Sequence, residues 1–124
     1  MTRLTRALHD GRAAEWLAAM WLRLHGWRIL ATRVRTPVGE IDIIARRRRW
    51  LIFVEVKRRP GRREALAALR PHQQRRIARA AACWLAGQPW AGDLDMRFDY
   101  VMIHGNWRLE HLKDVFRPED VGLH

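Results

Sequence analysis

GEIDIIARRRRWLIFVEVKRR, residues 39–59, is the stretch that decides how this chain folds. Two runs rich in isoleucine and valine, residues 40–45 and 50–57, flank the four arginines Arg46, Arg47, Arg48 and Arg49, a spacing that predicts a hairpin of two strands. Along a strand the side chains alternate, so Glu40, Asp42 and Ile44 share one face while Ile41, Ile43 and Ala45 share the other. On the second strand Leu51, Phe53, Glu55 and Lys57 oppose Ile52, Val54 and Val56. An even-numbered loop brings the aliphatic sets together and puts Asp42 on the same face as Glu55 and Lys57; an odd-numbered loop separates them. The aliphatic match selects the even register, although the turn lacks the usual glycine or asparagine.

Charges inside strands that are otherwise built for burial need a reason. Two carboxylates on adjacent strands repel unless a positive charge sits between them, and a hard divalent ion with oxygen ligands fills that role. Lys57, two residues beyond Glu55, reaches the same place as an ammonium able to orient a water or neutralise charge on a phosphate. The bland alternative is a solvated face of an edge hairpin, with Lys57 pairing with Glu55. The acid on the neighbouring strand and the aliphatic surround favour the metal site.

Outward from the hairpin, residues 12–25 read as a helix capped near Asp10 and closed at Gly26. Its expected apolar face is Ala13, Trp16, Leu17, Met20, Trp21 and Leu24, which places Glu15 on the opposite, solvent side beside Arg12, Arg23, Ala18 and Ala19. A first strand spans residues 27–34, ended by the turn chemistry of Thr36, Pro37 and Gly39. After a basic loop at residues 58–63, residues 64–69 suggest a short helical turn, and a long helix runs from Pro71 to just before Gly87, with Ile77, Ala80, Ala81, Trp84 and Leu85 as its buried stripe. Residues 96–103 and 107–112 are two more strands, joined by a turn containing His104. Asp99 reads either as an aid to the edge of the site or, the favoured alternative, as the partner of Arg97 or another arginine. Residues 1–9 and 114–124 stand as candidate flexible tails of a single domain, residues 1–124.

At 124 residues, 48% hydrophobic and 30% charged, the chain has the composition of a folded globular domain. A lone cysteine, Cys83, excludes an internal disulfide and reads as a small buried hydrophobe. With no apolar run of membrane-spanning length and no leader pattern, a cytoplasmic protein is expected. The net charge of +11 favours a polyanionic partner, nucleic acid first and a membrane surface second, while arginine-biased coding would give the same excess without function. Most of the seven tryptophans fall at positions expected to be core. No histidine spacing suits zinc, and no glycine-rich phosphate loop is present.

The segments GRAAEWLAAMWLRLHGWRIL, GEIDIIA, FVEVKRR, QQRRIARAAACWLA and RFDYVMI together resemble the YraN family of small, functionally uncharacterised bacterial proteins. That resemblance implies an α/β restriction-endonuclease-like core, a mixed central sheet flanked by helices in the order α-β-β-β-α-β-β, as in the PD-(D/E)xK nucleases. It implies that Asp42 and Glu55 are the two acids of the nuclease motif and Lys57 its lysine. Glu15 resembles the helix glutamate that some branches add to the metal site, and Gln74 a polar position on the second helix. The motif's proline is replaced, Ile41 preceding Asp42, and the hairpin turn is basic where the family more often has acidic and glycine residues.

On this reading the chain is a nucleic-acid-binding protein and an Mg²⁺- or Mn²⁺-dependent endonuclease. Asp42, Glu55 and Glu15 hold the ion, and Lys57 helps place a water in line with the phosphorus. Arg46, Arg47, Arg48, Arg49, Arg58, Arg59, Gln74, Arg75 and Arg76, with Arg62, Arg63 and Arg79, are placed to grip the backbone, DNA before RNA, or to form a solvated face. A homodimer is left open. The rival reading is a non-catalytic nucleic-acid-binding or assembly protein that keeps the fold and its acids for structure.

Overall fold

A computed structural model describes residues 11–122, except for the side chain of Val121. Helix α1 (Arg12–Leu24) leads into strands β1 (Arg28–Thr36), β2 (Gly39–Arg47) and β3 (Trp50–Arg59); helices α2 (Arg62–Ala67) and α3 (Pro71–Ala86) and a 3₁₀ turn (Pro89–Asp93) then carry the chain to β4 (Asp95–His104) and β5 (Arg108–Phe116). The five strands form one sheet in the order β1-β2-β3-β4-β5. All neighbours are antiparallel except β3 and β4. A parallel pair needs a long crossover, and the segment holding α2 and α3 supplies it. The fold is thus mixed α/β in the expected order, with α2 as the extra helical turn read at residues 64–69.

The hairpin closes as its aliphatic pattern requires. Arg47 pairs with Trp50, Ala45 with Ile52 and Ile43 with Val54, leaving a two-residue turn of Arg48 and Arg49. Arg48 takes the left-handed conformation (φ 56°) that glycine or asparagine would ordinarily supply. Ile43 and Ala45 join Ile52, Val54, Val56, Val101 and Ile103 beneath α1, while Ile44, Leu51 and Phe53 meet Ile77, Ala78, Ala80 and Ala81 of α3. Ile41 breaks the expected alternation: it packs on the α3 side with Ile44, away from Ile43. The cause lies at Asp42. In β1, Arg33 falls between the pairs Thr32–Ile43 and Val34–Ile41, opposite Asp42, and its left-handed backbone (φ 51°) interrupts the pleat there.

Helix α1 turns a different face to the sheet than its hydrophobicity suggests. Ala14, Ala18, Ala19 and Leu22 are buried, whereas Trp16 and Leu24 are 60% and 79% exposed. The small side chains let the helix lie close on the isoleucine and valine surface, and Leu17 and Trp21 fill its flanks. Glu15 therefore borders the buried face, a reversal of its expected solvent position. The expected cap Asp10 and the tail at residues 1–9 lie outside the described residues. Gly26, left-handed at φ 86°, ends the helix, and the Trp27 N–H donates to the Leu22 carbonyl at 2.9 Å.

Strand β5 runs to Phe116, past the limit at residue 112 that its pattern predicts, and a 3₁₀ turn (Pro118–Val121) follows. An irregularity opposite Asp99 permits the extension: the register shifts between Phe98 and Tyr100, and left-handed Asp114 (φ 53°) donates its N–H to Asp99 Oδ1 at 3.0 Å. Three other expectations change. Cys83 is exposed. Trp50 and Trp90, at 40% and 49% exposure, are outside the core. His104 ends β4, with Nε2 2.6 Å from the Glu110 carboxylate, and so is no turn residue.

Candidate metal centre

The interrupted pleat opens the sheet at its most acidic point. The β2–β3 ladder begins at the Ile43–Val54 pair, and beyond it the Val56 N–H donates to Asp42 Oδ2 at 2.8 Å. A side-chain carboxylate thus replaces the backbone acceptor a continuing ladder would have offered. The Asp42 and Glu55 carboxyl groups are close enough for each to act on the ionisation of the other, and Lys57 Nζ stands 3.3 Å from Glu55 Oε1. Glu55 is nearly buried, with 13% of its side chain exposed, and Lys57 shows 24%. Asp42, Glu55 and Lys57 are thus brought together from two strands.

Burial dominates the electrostatics. Removing the two carboxyls from water pushes Glu55 up to about 8, the Asp42 charge adding to the rise and Lys57 only partly opposing it. Asp42 is also raised, first by burial and further by the charge of Glu15, although the Val56 N–H and the bond from Glu55 pull it down. Two acids competing for one site behave as a pair that holds a proton between them. Tyr100, which faces Glu55 across the parallel β3–β4 ladder, is pushed up to about 12, first by burial and also by Glu55; its hydroxyl donates to the Ala65 carbonyl.

The donor set fits a hard divalent ion. Oxygen ligands predominate, the charge between them is uncompensated, and a cation would replace the shared proton. Asp42 and Glu55 are the residues that would hold it. Glu15 stands near enough for its charge to act on Asp42, but its carboxylate accepts a hydrogen bond from Arg33 Nε at 2.6 Å. Among the described residues no group of three or more His, Cys, Asp or Glu side chains converges to hold a metal ion. Glu15 is therefore beside the pair, committed to Arg33, instead of within a three-carboxylate cluster.

The basic residues divide. At the hairpin, Arg47 donates to the His25 carbonyl at 2.7 Å and stacks on Trp27 at 4.3 Å, Arg46 lies over Trp90, and Arg49 donates to the Asp93 carbonyl at 2.6 Å. Arg58 stacks on Trp107 at 3.8 Å, and Arg59 donates to the Arg58 carbonyl. Gln74 spends its amide on the Leu69 carbonyl at 3.1 Å, joining α2 to α3. These contacts are structural. Arg48, Arg75 and Arg76 carry no such commitment among the described residues. Arg33 and Tyr100 are the site neighbours that sequence reasoning missed: a left-handed arginine has no local signature, and Tyr100 read only as an apolar strand residue.

A further acid is buried elsewhere in the sheet. Asp99 accepts from Arg97 Nε and Nη2 at 2.8 Å each and from the Asp114 N–H, and it bonds His111 Nε2 at 2.7 Å. The expected pairing with Arg97 is present.

No described helix is long and apolar enough to cross a membrane. The model of uncharacterised protein family UPF0102 matches residues 14–103, which include most of α1, the hairpin, both later helices and most of β4. The UPF0102 protein of Maricaulis maris is 45% identical over 122 residues, 97% of this chain and 95% of its own length. Those of Parvibaculum lavamentivorans and Acidiphilium cryptum are 50% and 44% identical over 108 and 115 residues, covering 87% and 93% of this chain and 81% and 89% of theirs. With the acidic hairpin and nearly all of the opening helix and of β4 inside the matched span, the chain belongs to family UPF0102.

Proposed function

We propose that this protein is a divalent-metal-dependent phosphodiesterase acting on nucleic acid, with Asp42 and Glu55 as its metal-binding pair. The observation that carries the reading is the largely buried Asp42–Glu55 couple, whose pKa values are raised first by burial, with Lys57 only partly opposing the rise. Mg²⁺ or Mn²⁺, when bound, supplies that charge and activates a water. Asp42 is held for the task by the Val56 N–H. Lys57, beside Glu55 and partly open to solvent, neutralises charge on the phosphate and orients the attacking water. Attack at phosphorus forms one P–O bond and breaks another, leaving a phosphate end and a hydroxyl end. A net charge of +11 suits a polyanionic substrate.

The test is cleavage of labelled single-stranded, duplex and branched DNA and of RNA, in Mg²⁺, Mn²⁺ or EDTA, by the wild type and Asp42→Ala. Cleavage that needs metal and disappears in the variant is expected. A second reading, a nucleic-acid-binding protein without catalysis, is favoured by Lys57 pairing with Glu55, which makes the cluster self-contained. Metal-independent binding by both proteins with no cleavage by either would establish it.

A further inference from the structure

The arginines of this protein are unevenly partnered. Three of the four at the hairpin, Arg46, Arg47 and Arg49, are tied to carbonyls and tryptophan rings. Helix α3 differs: among the described residues Arg75, Arg76 and Arg79 have no ion pair, hydrogen bond or ring contact, and no acid occurs anywhere in Pro71–Ala86. The buried face of α3 is Ile77, Ala78, Ala80 and Ala81. At about 100° per residue, Arg75, Arg76 and Arg79 fall on the opposite side, a patch of like charge with nothing to balance it.

The placement of that patch matters as much as its charge. Gly39, the first residue of β2, packs on the α3 backbone so closely that a carbon added to it would lie 3.1 Å from the Arg76 carbonyl oxygen. Gly39 is three residues before Asp42 on the same strand. The basic half of α3 therefore stands at the end of the sheet where the carboxylates open. Arg75 and Arg79 are separated along the axis by about 6 Å, the scale of one to two phosphates along a strand.

We propose that the outer face of α3, through Arg75, Arg76 and Arg79, is the surface that tracks a nucleic-acid backbone toward the carboxylate end, while Arg46, Arg47 and Arg49 of the hairpin serve the fold. This rests on the nucleic-acid reading above and goes beyond it by naming the docking surface. It is independent of whether cleavage occurs.

Binding of a short fluorescein-labelled DNA duplex, and of single-stranded DNA and RNA of matching length, is followed by anisotropy in EDTA over a series of salt concentrations. The variant Arg75→Gln/Arg76→Gln/Arg79→Gln is expected to lose about tenfold or more in affinity at low salt, with a salt slope lower by about three. Arg48→Gln, an exposed hairpin change, is expected to bind like the wild type. Thermal unfolding checks that both variants remain folded. Equal affinity of the triple variant and the wild type would overturn the proposal, as would a wild type that binds phosphatidylserine vesicles but no oligonucleotide. Scoring the same proteins for cleavage in Mn²⁺ separates the two failures: an inactive wild type whose binding depends on α3 sinks only the nuclease, whereas active cleavage with α3-independent binding sinks only this surface.

Discussion

Two sets of carboxylates are sunk into the same sheet and treated in opposite ways. Asp99, its side chain fully buried, is surrounded by donors: two nitrogens of Arg97, His111 and the Asp114 N–H. Burial alone would raise its pKa, yet His111, Arg97 and Asp114 together hold it below the usual range. Asp42 and Glu55 are largely buried with one backbone N–H and one lysine between them, and both are raised. The first group is a finished structural network, the second an incomplete one. Burial with few donors is what suits the second group to the cation proposed for it.

The largest expected effect follows from the opposite signs of these shifts. Glu55 binds its proton more tightly folded than unfolded, so the stability it contributes is complete below pH 4.5 and is lost as pH rises toward 8. In EDTA, unfolding followed by urea titration should show stability falling between those limits by on the order of 4 kcal/mol. Glu55→Gln should flatten the fall. Asp99 works the other way: depressed in the fold, it gives stability that is present above pH 3.8 and disappears as pH drops through its folded value. A chain equally stable at pH 5 and pH 9 without metal would erase the contrast.

Substitution separates the two groups directly. Asp99→Ala strands the half-buried Arg97 guanidinium and removes the acceptor for Asp114, and should cost about 3 kcal/mol in the same titration. Asp42→Asn, which removes a repelling charge, should cost little or stabilise at pH 8. A third effect, somewhat smaller, belongs to the ion. Mn²⁺ at about a hundredfold excess over its Kd should stabilise the wild type by about 2.7 kcal/mol. The shift should be larger at pH 8 than at pH 6, because the proton held by Glu55 competes with the metal, and it should vanish in Asp42→Asn. Loss of the metal shift in an Asp99→Asn protein that remains folded would show that the two groups are not distinct.

What could be read from the residues alone follows the same division. Hairpin register and the meeting of Asp42, Glu55 and Lys57 were legible, because alternation of isoleucine and valine with charge is a local, two-residue signal. The face of α1 was not. Tryptophan and leucine outweigh alanine on any hydrophobic scale, yet contact with a flat sheet selects the small Ala14 and Ala18, and Glu15 changes sides as a result. The arginine roles were illegible for another reason: Arg47 finds His25 and Trp27 about twenty positions away, and nothing near Arg47 in sequence announces them. The end of β5 escaped because its continuation depends on a bulge held by Asp99, on a different strand.

The smallest expected effects come from the left-handed residue that attends each group, Arg33 opposite Asp42 and Asp114 beside Asp99. Glycine relieves such a conformation at a cost in unfolded-state entropy, so the net gain is at most about 1 kcal/mol. Asp114→Gly keeps the N–H that serves Asp99 and gives up only an exposed 3.4 Å contact with Arg117, and it should therefore be neutral or stabilising by about 0.5 kcal/mol. Arg33→Gly relieves the same strain but also releases Glu15, whose charge already raises Asp42. Its gain should be cancelled, and its loss of stability toward high pH in EDTA should be steeper than in the wild type. If both glycine variants gained equally and kept the wild-type pH profile, Arg33 would be a strained turn residue with no part in the electrostatics of the carboxylate pair, and the incompleteness of that site would lie in Asp42, Glu55 and Lys57 alone.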